Sequence, residues 1–442
     1  MKHRLCIFNL YAAALDGPFL KGTIKVLVVV PRGDCIQIGE GLDDRRAPPI
    51  PLDRCCIGVS RRDLLRWGLL GAGAWALEPV LTLADQAVAV PGEASPALAS
   101  TERALRDLIV RYASAPDDPW AAMHGVRAIG KKFTVAGESA IEHLSARALQ
   151  EKAEGGRKYL VMPPAAEGHS NTFLKTLLEA GVGLDHQITV AGRRRTVTDL
   201  LQDARQLFAY EPGKINGSAD NLSWSIIAFA ITTPPNQDQW RNAKGQQIKL
   251  RDVVGYAFDT LDWASADFRK TMAEGRTPTE KDRVSNLTCG GTHLIYSLGV
   301  AVRHGHLGEE GRRRFAEQLR LLIWRLRVDP LLLDAYYKTV AKAYPNKTAR
   351  WRPYQLDSRL KFLGHAFEIL SYNRLFRLVP LTTEQERQVT QAGQILAQTI
   401  REVTKLNLQT IKRENPKLFD LLVGDACHAY HGIRMVRGEN QV

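Results

Sequence analysis

From residue 100 onward, apolar residues recur at spacings of three and four and rarely alternate, a periodicity that restricts the chain to helices packed on helices. The spacing predicts helices over residues 101–114, 119–131, 138–153, 170–181, 196–209, 219–232, 248–273, 282–304, 309–328, 330–343, 357–376, 382–405 and 418–436. Thirteen helices and no convincing sheet give an all-α class, although Gln187 to Arg195 could form a small hairpin turned at Ala191-Gly192. Punctuation agrees: Thr382-Thr383-Glu384-Gln385 follows Pro380 as a capping sequence, and Pro212-Gly213, Pro234-Pro235 and Gly305 to Gly308 break the pattern. At 442 residues with 45% hydrophobic and 24% charged, the chain can bury a large core, and disorder, collagen-like repeats and a multi-span membrane protein are excluded.

The helices are of two kinds. Some are amphipathic and basic, such as Glu309 to Leu326, and belong on the outside; others are apolar or small nearly all round and belong inside. Aligning the second kind gives Met123-His124-Gly125, Gly168-His169-Ser170, Ser223-Trp224-Ser225, Thr292-His293-Leu294, Gly364-His365-Ala366 and Cys427-His428-Ala429. Five place His, and one Trp, at the same register, with successive spacings of 45, 55, 69, 72 and 63 residues, each long enough for an inner helix, an outer helix and connections. Six such units make an (α/α)6 toroid whose inner-helix starts ring a central cavity. Over residues 100–438 this pattern resembles the α/α-toroid proteins, the architecture shared by terpenoid cyclases, protein prenyltransferase β subunits and several glycan lyases.

The amino-terminal part carries an address. Ser60-Arg61-Arg62-Asp63-Leu64-Leu65-Arg66 precedes the uncharged stretch Trp67 to Leu77, and Ala87-Val88-Ala89 supplies small residues for cleavage. This resembles a twin-arginine (Tat) export signal, Ser/Thr-Arg-Arg-x-Phe-Leu-Lys, with Leu64 in place of Phe and Arg66 in place of Lys. The resemblance implies a Tat translocase partner and a periplasmic or extracellular destination. The apolar run is too short to span a bilayer of ~30 Å. Because 59 residues precede it, residues 1–59 read as an over-extended gene start; they hold Cys6, Cys35, Cys55 and Cys56 and one β-like run, Ile24 to Val30, with no obvious partner. Of the 60 Lys+Arg and 47 Asp+Glu, 11 and 9 fall before residue 90, so a net +11 stays on the remainder and suits an anionic partner such as an acidic glycan. Export argues against nucleic acid.

Three segments concentrate chemistry: Cys289-Gly290-Gly291-Thr292-His293 with Tyr296, His365 with Glu368, and Asp425-Ala426-Cys427-His428 with His431. Three- and four-residue spacings put Cys289/His293, His365/Glu368 and Cys427 or His428 with His431 each on one helix face, and thiolate, imidazole and carboxylate are zinc ligands. Cys289, His293, His365 and Cys427 are the first-choice metal ligands, with Asp425, His428 and His431 as alternatives or supports and Glu368 or Tyr296 as acid/base. Cys427 and His428 diverge by about 100° and do not share one ion. Asp425-Ala426-Cys427 with Tyr430 is also similar to the Asp-x-Cys of zinc-binding prenyltransferase β subunits, which implies that Asp425 and Cys427 bind metal; histidines stand where that family has aromatic residues. Cys289 and Cys427 could instead form a disulfide. Two further readings stay open: a metal-free lyase acting on an acidic glycan through Asn221, His293, Tyr296, His365 and Arg127, and a non-catalytic binding or scaffold protein. His304 and His306, in a glycine-rich turn, are expected in solvent, and His143 and His186 at the periphery. His-Glu-x-x-His, Gly-x-Ser-x-Gly, a Walker loop, a dinucleotide fingerprint and Cys-x-x-Cys are absent from the sequence, which sets aside the chemistries they mark.

Overall fold

A computed structural model describes residues 98, 100–211, 221–345 and 348–436, together with two short strands nearer the amino terminus. Those strands, β1 (Cys6–Asn9) and β2 (Lys25–Val28), pair antiparallel within a separate unit spanning Met1–Ser60, so the β-like run at Ile24 to Val30 has a partner in Cys6–Asn9. The expected signal segment, residues 60–89, lies outside the described residues, as does most of 1–59.

The second unit is mostly helical. Its elements run α1 (Glu102–Tyr112), α2 (Pro119–Ile129), β3 (Thr134–Val135), β4 (Glu138–Ser139), α3 (Ala140–Arg147), β5 (Gln150–Glu154), β6 (Arg157–Val161), α4 (Pro164–Glu167), α5 (Thr172–Glu179), β7 (Gln187–Val190), β8 (Arg193–Thr196), α6 (Val197–Leu207) and α7 (Ser223–Thr232). There follow β9 (Gln239–Arg241), β10 (Gln247–Lys249), α8 (Leu250–Ala264), α9 (Ala266–Ala273), α10 (Thr292–Arg303), α11 (Gly308–Ala343), α12 (Thr348–Phe376), α13 (Thr383–Val403), α14 (Leu408–Glu414) and α15 (Pro416–Val436).

Local chemistry sets many of these boundaries. Asp118 accepts from the Ala121 amide at 2.9 Å and Pro119 opens α2, where a missing N–H costs nothing. Reciprocal capping boxes, Thr196 with Asp199 and Thr382 with Gln385, start α6 and α13. The expected hairpin is present as β7–β8, and Ala191 and Gly192 adopt φ of 49° and 73°, the left-handed pair that a two-residue turn between twisted strands demands. Three further hairpins, β3–β4, β5–β6 and β9–β10, were not expected. Of these, β3–β4 repeats the turn of β7–β8 letter for letter, Thr134-Val135-Ala136-Gly137 against Thr189-Val190-Ala191-Gly192, and in both places the returning strand runs directly into a helix.

Several predicted helices change their limits. The segment 138–153 yields only Ala140–Arg147 before the chain enters β5, whose side chains are almost all exposed. The segment 248–273 divides at Ser265, and 282–304 is α-helical only from Thr292, with short 3-10 turns at Arg283–Asn286 and Thr288–Gly291 before it. Helices expected at 309–328 and 330–343 are one, because Pro330 is accommodated inside α11, where it is buried.

The apolar helices pack in sequence. Helix α2 lies on α5, α5 on α7, α7 on α10, α10 on α12, α12 on α15, and α15 returns to α2, so the contacts close a circle. Other helices pack on members of this circle: α3 on α2, α6 on α5, α8 on α7 and α10, α11 and α13 on α12, and α1 on α15. Burial matches, since Ser223 through Ala230 of α7 are buried without interruption and so are Leu422 through Ile433 of α15. Glycines permit the closest approaches. A Cβ on Gly432 would stand 3.0 Å from the Glu368 amide nitrogen, and one on Gly424 would enter the Trp120 ring. Among the described residues no helix is long and apolar enough to cross a membrane.

Candidate metal centre

The six aligned positions meet. His169 stacks on Trp224 with ring centroids 3.8 Å apart, Trp224 lies against His293 at 4.8 Å, His293 against His365 at 4.5 Å, His365 against His428 at 3.7 Å, and His428 against His124 at 5.4 Å. Trp120 covers His124 at 3.9 Å and its indole nitrogen reaches toward Gly168, beside His169. The register does not mark helix starts throughout, however. His293 and Trp224 sit in the first turns of α10 and α7, His169 precedes α5, and His124 is in the second turn of α2, whereas His365 and His428 lie in the middle of α12 and α15. The expected start of α15, at 418, lies two residues from the observed Pro416, whereas α12 begins nine residues before the expected 357.

Cys289 reaches the cluster by an unexpected route. It is not on the helix of His293 but on a tight turn before it, where Cys289, Gly290 and Gly291 take φ of 50°, 69° and 80° in succession. Glycine adopts this readily; for cysteine the left-handed region costs on the order of 1–3 kcal/mol and persists only where surroundings fix it. Arg325 fixes it: buried within α11 and paired with Asp329 at 2.7 Å, it donates to the Gly290 carbonyl at 2.8 Å, while the Thr292 hydroxyl donates to the Cys289 carbonyl at 2.8 Å. The thiol, His293 and His365 then bring one ligand atom each to within 4.8 Å of one another. Cys289 and His293 are half-buried, and His365 is buried beneath them.

A second group, His365, Glu368 and His428, has the same closeness and is wholly buried. Here the atoms are engaged with each other. Glu368 accepts from Arg127 Nε at 2.7 Å and from His428 Nδ1 at 2.9 Å, and it also accepts from His431 Nδ1. Burial pushes the Glu368 carboxyl up, but Arg127, His428 and His431 overcome it and hold the group well below the usual carboxylate range. It is therefore an anion at neutral pH, an acceptor and not a proton donor. Arg127 also pairs with Glu179, which Lys175 contacts at 3.0 Å, so a buried chain of charges, Lys175–Glu179–Arg127–Glu368, lies below the histidines.

Four of the five imidazoles share a further property: one nitrogen is held by an oxygen. His428 Nδ1 is on Glu368, His365 Nε2 lies 3.3 Å from Asp425 Oδ1, His124 Nδ1 lies 2.8 Å from the Trp120 carbonyl, and His169 Nδ1 lies 3.1 Å from Asn221 Oδ1. A carboxylate or carbonyl only accepts, so the held nitrogen carries the proton and the other keeps its lone pair. Burial lowers His365 to about 3 and His124 to about 4, and it lowers His293 and His428 well below the ordinary value, their neighbouring imidazoles adding to the effect on both. All four are neutral at pH 7, the state in which imidazole ligates metal.

The remaining sequence candidates fall in distinct places. Asp425 touches His365 and behaves as its support. His431 supports Glu368 from the same helix face as His428. Cys427, the neighbour of His428, is completely buried and belongs to neither group, and burial pushes its thiol far above the ordinary range, which keeps it protonated. No disulfide joins it to Cys289. Tyr296, one turn beyond His293, faces inward, its ring 4.9 Å from the Arg127 guanidinium and 5.1 Å from Tyr372, and burial holds its hydroxyl protonated. His306, expected in solvent, is 1% exposed, and His304 is half-buried. His143, expected at the periphery, is buried and bonds Glu138 at 2.6 Å. Sequence reasoning missed Arg325, Glu179 and Lys175; they look like surface charges on helical segments, and only burial distinguishes them.

Compared with family models, with curated proteins and with solved structures, the chain finds no match.

Proposed function

We propose that the chain is an exported protein with an (α/α)6 toroid domain and a divalent-metal centre at Cys289, His293 and His365, used for hydrolytic or lyase chemistry. The toroid reading is supported by the closed circle of contacts among α2, α5, α7, α10, α12 and α15 and by the further helices packed on each. The export reading rests on the order of Ser60-Arg61-Arg62, the uncharged run and Ala87-Val88-Ala89 in the sequence.

The observation that carries the metal reading is the convergence of the Cys289, His293 and His365 ligand atoms together with the buried carboxylate of Asp425 behind His365. Such a carboxylate–histidine pair fixes the tautomer, orients the ring and raises the basicity of the outward nitrogen, and it is the usual surround of a metal-ligating histidine. A mixed thiolate and imidazole set suits zinc, and three protein ligands leave a position open on the half-buried side. A bound divalent ion there supplies Lewis acidity. The chain's own residues bind it, hold His365 and His428 in one tautomer, and place Glu368 and Arg127 as a fixed ion pair beneath it.

The metal-free lyase reading is disfavoured by two of its own residues. Arg127 is fully compensated by Glu179 and Glu368 and has no charge left for a substrate carboxylate, and Tyr296 is buried with its hydroxyl held protonated. Elemental analysis of the purified protein tests the proposal: about one zinc or other divalent ion per chain is expected, lost in His293→Ala and in Cys289→Ser. Chains that hold no metal after purification and bind none on dialysis against zinc contradict it.

A further inference from the structure

His293 opens α10 and His304 closes it, so the two stand about 16 Å apart along the helix axis. At the His304 end, where α5 and α7 finish, the structure holds a cavity of about 450 Å³ walled by Leu178, Val182, Ala230 and Ile231 and edged by Thr233 and His304. Its size falls in the range of sites for small organic ligands, and its wall is mainly aliphatic.

The polar edge holds buried groups without partners. Arg205, half-buried on α6, donates from Nη2 to the Thr233 hydroxyl and lies 3.4 Å from the Thr232 hydroxyl, while its Nε is buried with no hydrogen-bond partner. Among the described residues no carboxylate lies within ion-pair distance of Arg205; its guanidinium rests over Trp240 at 5.7 Å. His304 Nε2 is likewise buried without a partner. Thr233 accepts from Arg205 through its oxygen, and this leaves the hydroxyl hydrogen to be donated. An aliphatic hollow therefore ends in a hydroxyl donor and the Nε2 of a neutral imidazole, a donor in its Nε2–H tautomer, backed by a guanidinium without a carboxylate, an arrangement that leaves buried polar groups unsatisfied, each at a cost of about 1–3 kcal/mol, unless an anion fills it.

We propose that this cavity binds an aliphatic carboxylate, its chain against Leu178, Val182, Ala230 and Ile231 and its head group on Thr233 and His304, facing the charge of Arg205. A cationic head is repelled by Arg205, and a neutral head leaves the guanidinium without its counter-charge. The site is separate from the histidine cluster and does not rest on the metal reading.

Calorimetric titration of the whole protein with decanoate, decanol and decylamine tests this. Decanoate is expected to bind at one site per chain, decanol roughly tenfold or more weakly, and decylamine not at all, the loss of a hydrogen bond to a charged head being worth at least that factor. Thr233→Val and His304→Leu are each expected to weaken decanoate by a similar factor, and Ile231→Phe, which fills the hollow, to abolish it while the thermal midpoint shows that the variant is folded. Equal binding of the three probes, no decanoate binding at millimolar concentration, or binding undiminished in folded Ile231→Phe would overturn the proposal.

Discussion

His428 Nδ1 lies 2.9 Å from Oε2 of Glu368, and the two residues come from helices that touch almost backbone to backbone. The carboxylate is the hub of the buried network, since Arg127 and His431 also donate to it. Glu368→Ala leaves Arg127 with one carboxylate in place of two and is expected to cost about 3–5 kcal/mol in denaturant unfolding. By contrast Asp425→Asn, which alters the partner of the ligand His365 and leaves the Glu368 network in place, is expected to weaken metal binding by roughly 10–100-fold, as loss of an outer-shell partner does; competition with a chromophoric chelator measures it.

Arg127→Lys is expected to destabilise by a few kcal/mol although charge is kept, because an ammonium cannot reach Glu179 and Glu368 with the fork that the guanidinium presents. Urea unfolding of the variant against wild type checks this; a midpoint unchanged with an unchanged slope would show that the buried charges rearrange.

Gly432→Ala is expected to cost about 1–3 kcal/mol, because the new methyl would meet the Glu368 backbone at 3.0–3.1 Å, and a helix backbone gives less readily than a side chain. Alanine at Gly255, where the added methyl meets nothing within 4 Å, should leave stability nearly unchanged.

The pH response of the histidines has a definite sign. A folded-state value for His365 of about 3, below the unfolded value near ~6.5, means that the unfolded chain takes up this proton first. Its contribution to stability is therefore present above about pH 6.5 and is lost progressively as pH falls toward 3. The stability difference between wild type and His365→Asn is expected to shrink across that window, and imidazole NMR shifts of His365 and His124 in metal-free protein should stay flat from pH 8 to about 5. Titration of either ring with a midpoint near 6.5 would mean that it is solvated.

Helical class and the histidine register were legible in the sequence because each depends on short-range pattern: spacing sets a helix face, and an apolar surround marks a buried one. The hairpin at Gln187 to Thr196 was legible for the same reason, from Ala191-Gly192 between alternating residues. Its near copy at Thr134 to Ser139 was not, because two-residue strands leave no alternation to read, although the repeated Thr-Val-Ala-Gly is a usable signal. The continuity of α11 through Pro330 depends on tertiary packing that outweighs a local penalty. Cys289 and His293 come together, but not by the helix face that their spacing predicts: three left-handed residues and Arg325 do the placing. The spacing of Cys427 from His431 and the Asp-x-Cys resemblance both point to Cys427, but neither can show that its thiol is buried in the core.

The most direct test of the metal centre is the absorption spectrum of the protein loaded with cobalt(II) in place of zinc. Ligation by Cys289, His293 and His365 predicts an intense near-ultraviolet thiolate-to-cobalt band together with visible bands of low coordination number, the thiolate band lost in Cys289→Ser and unaffected in Cys427→Ser. A cobalt spectrum without the thiolate band, or one whose thiolate band follows Cys427, would contradict the assignment.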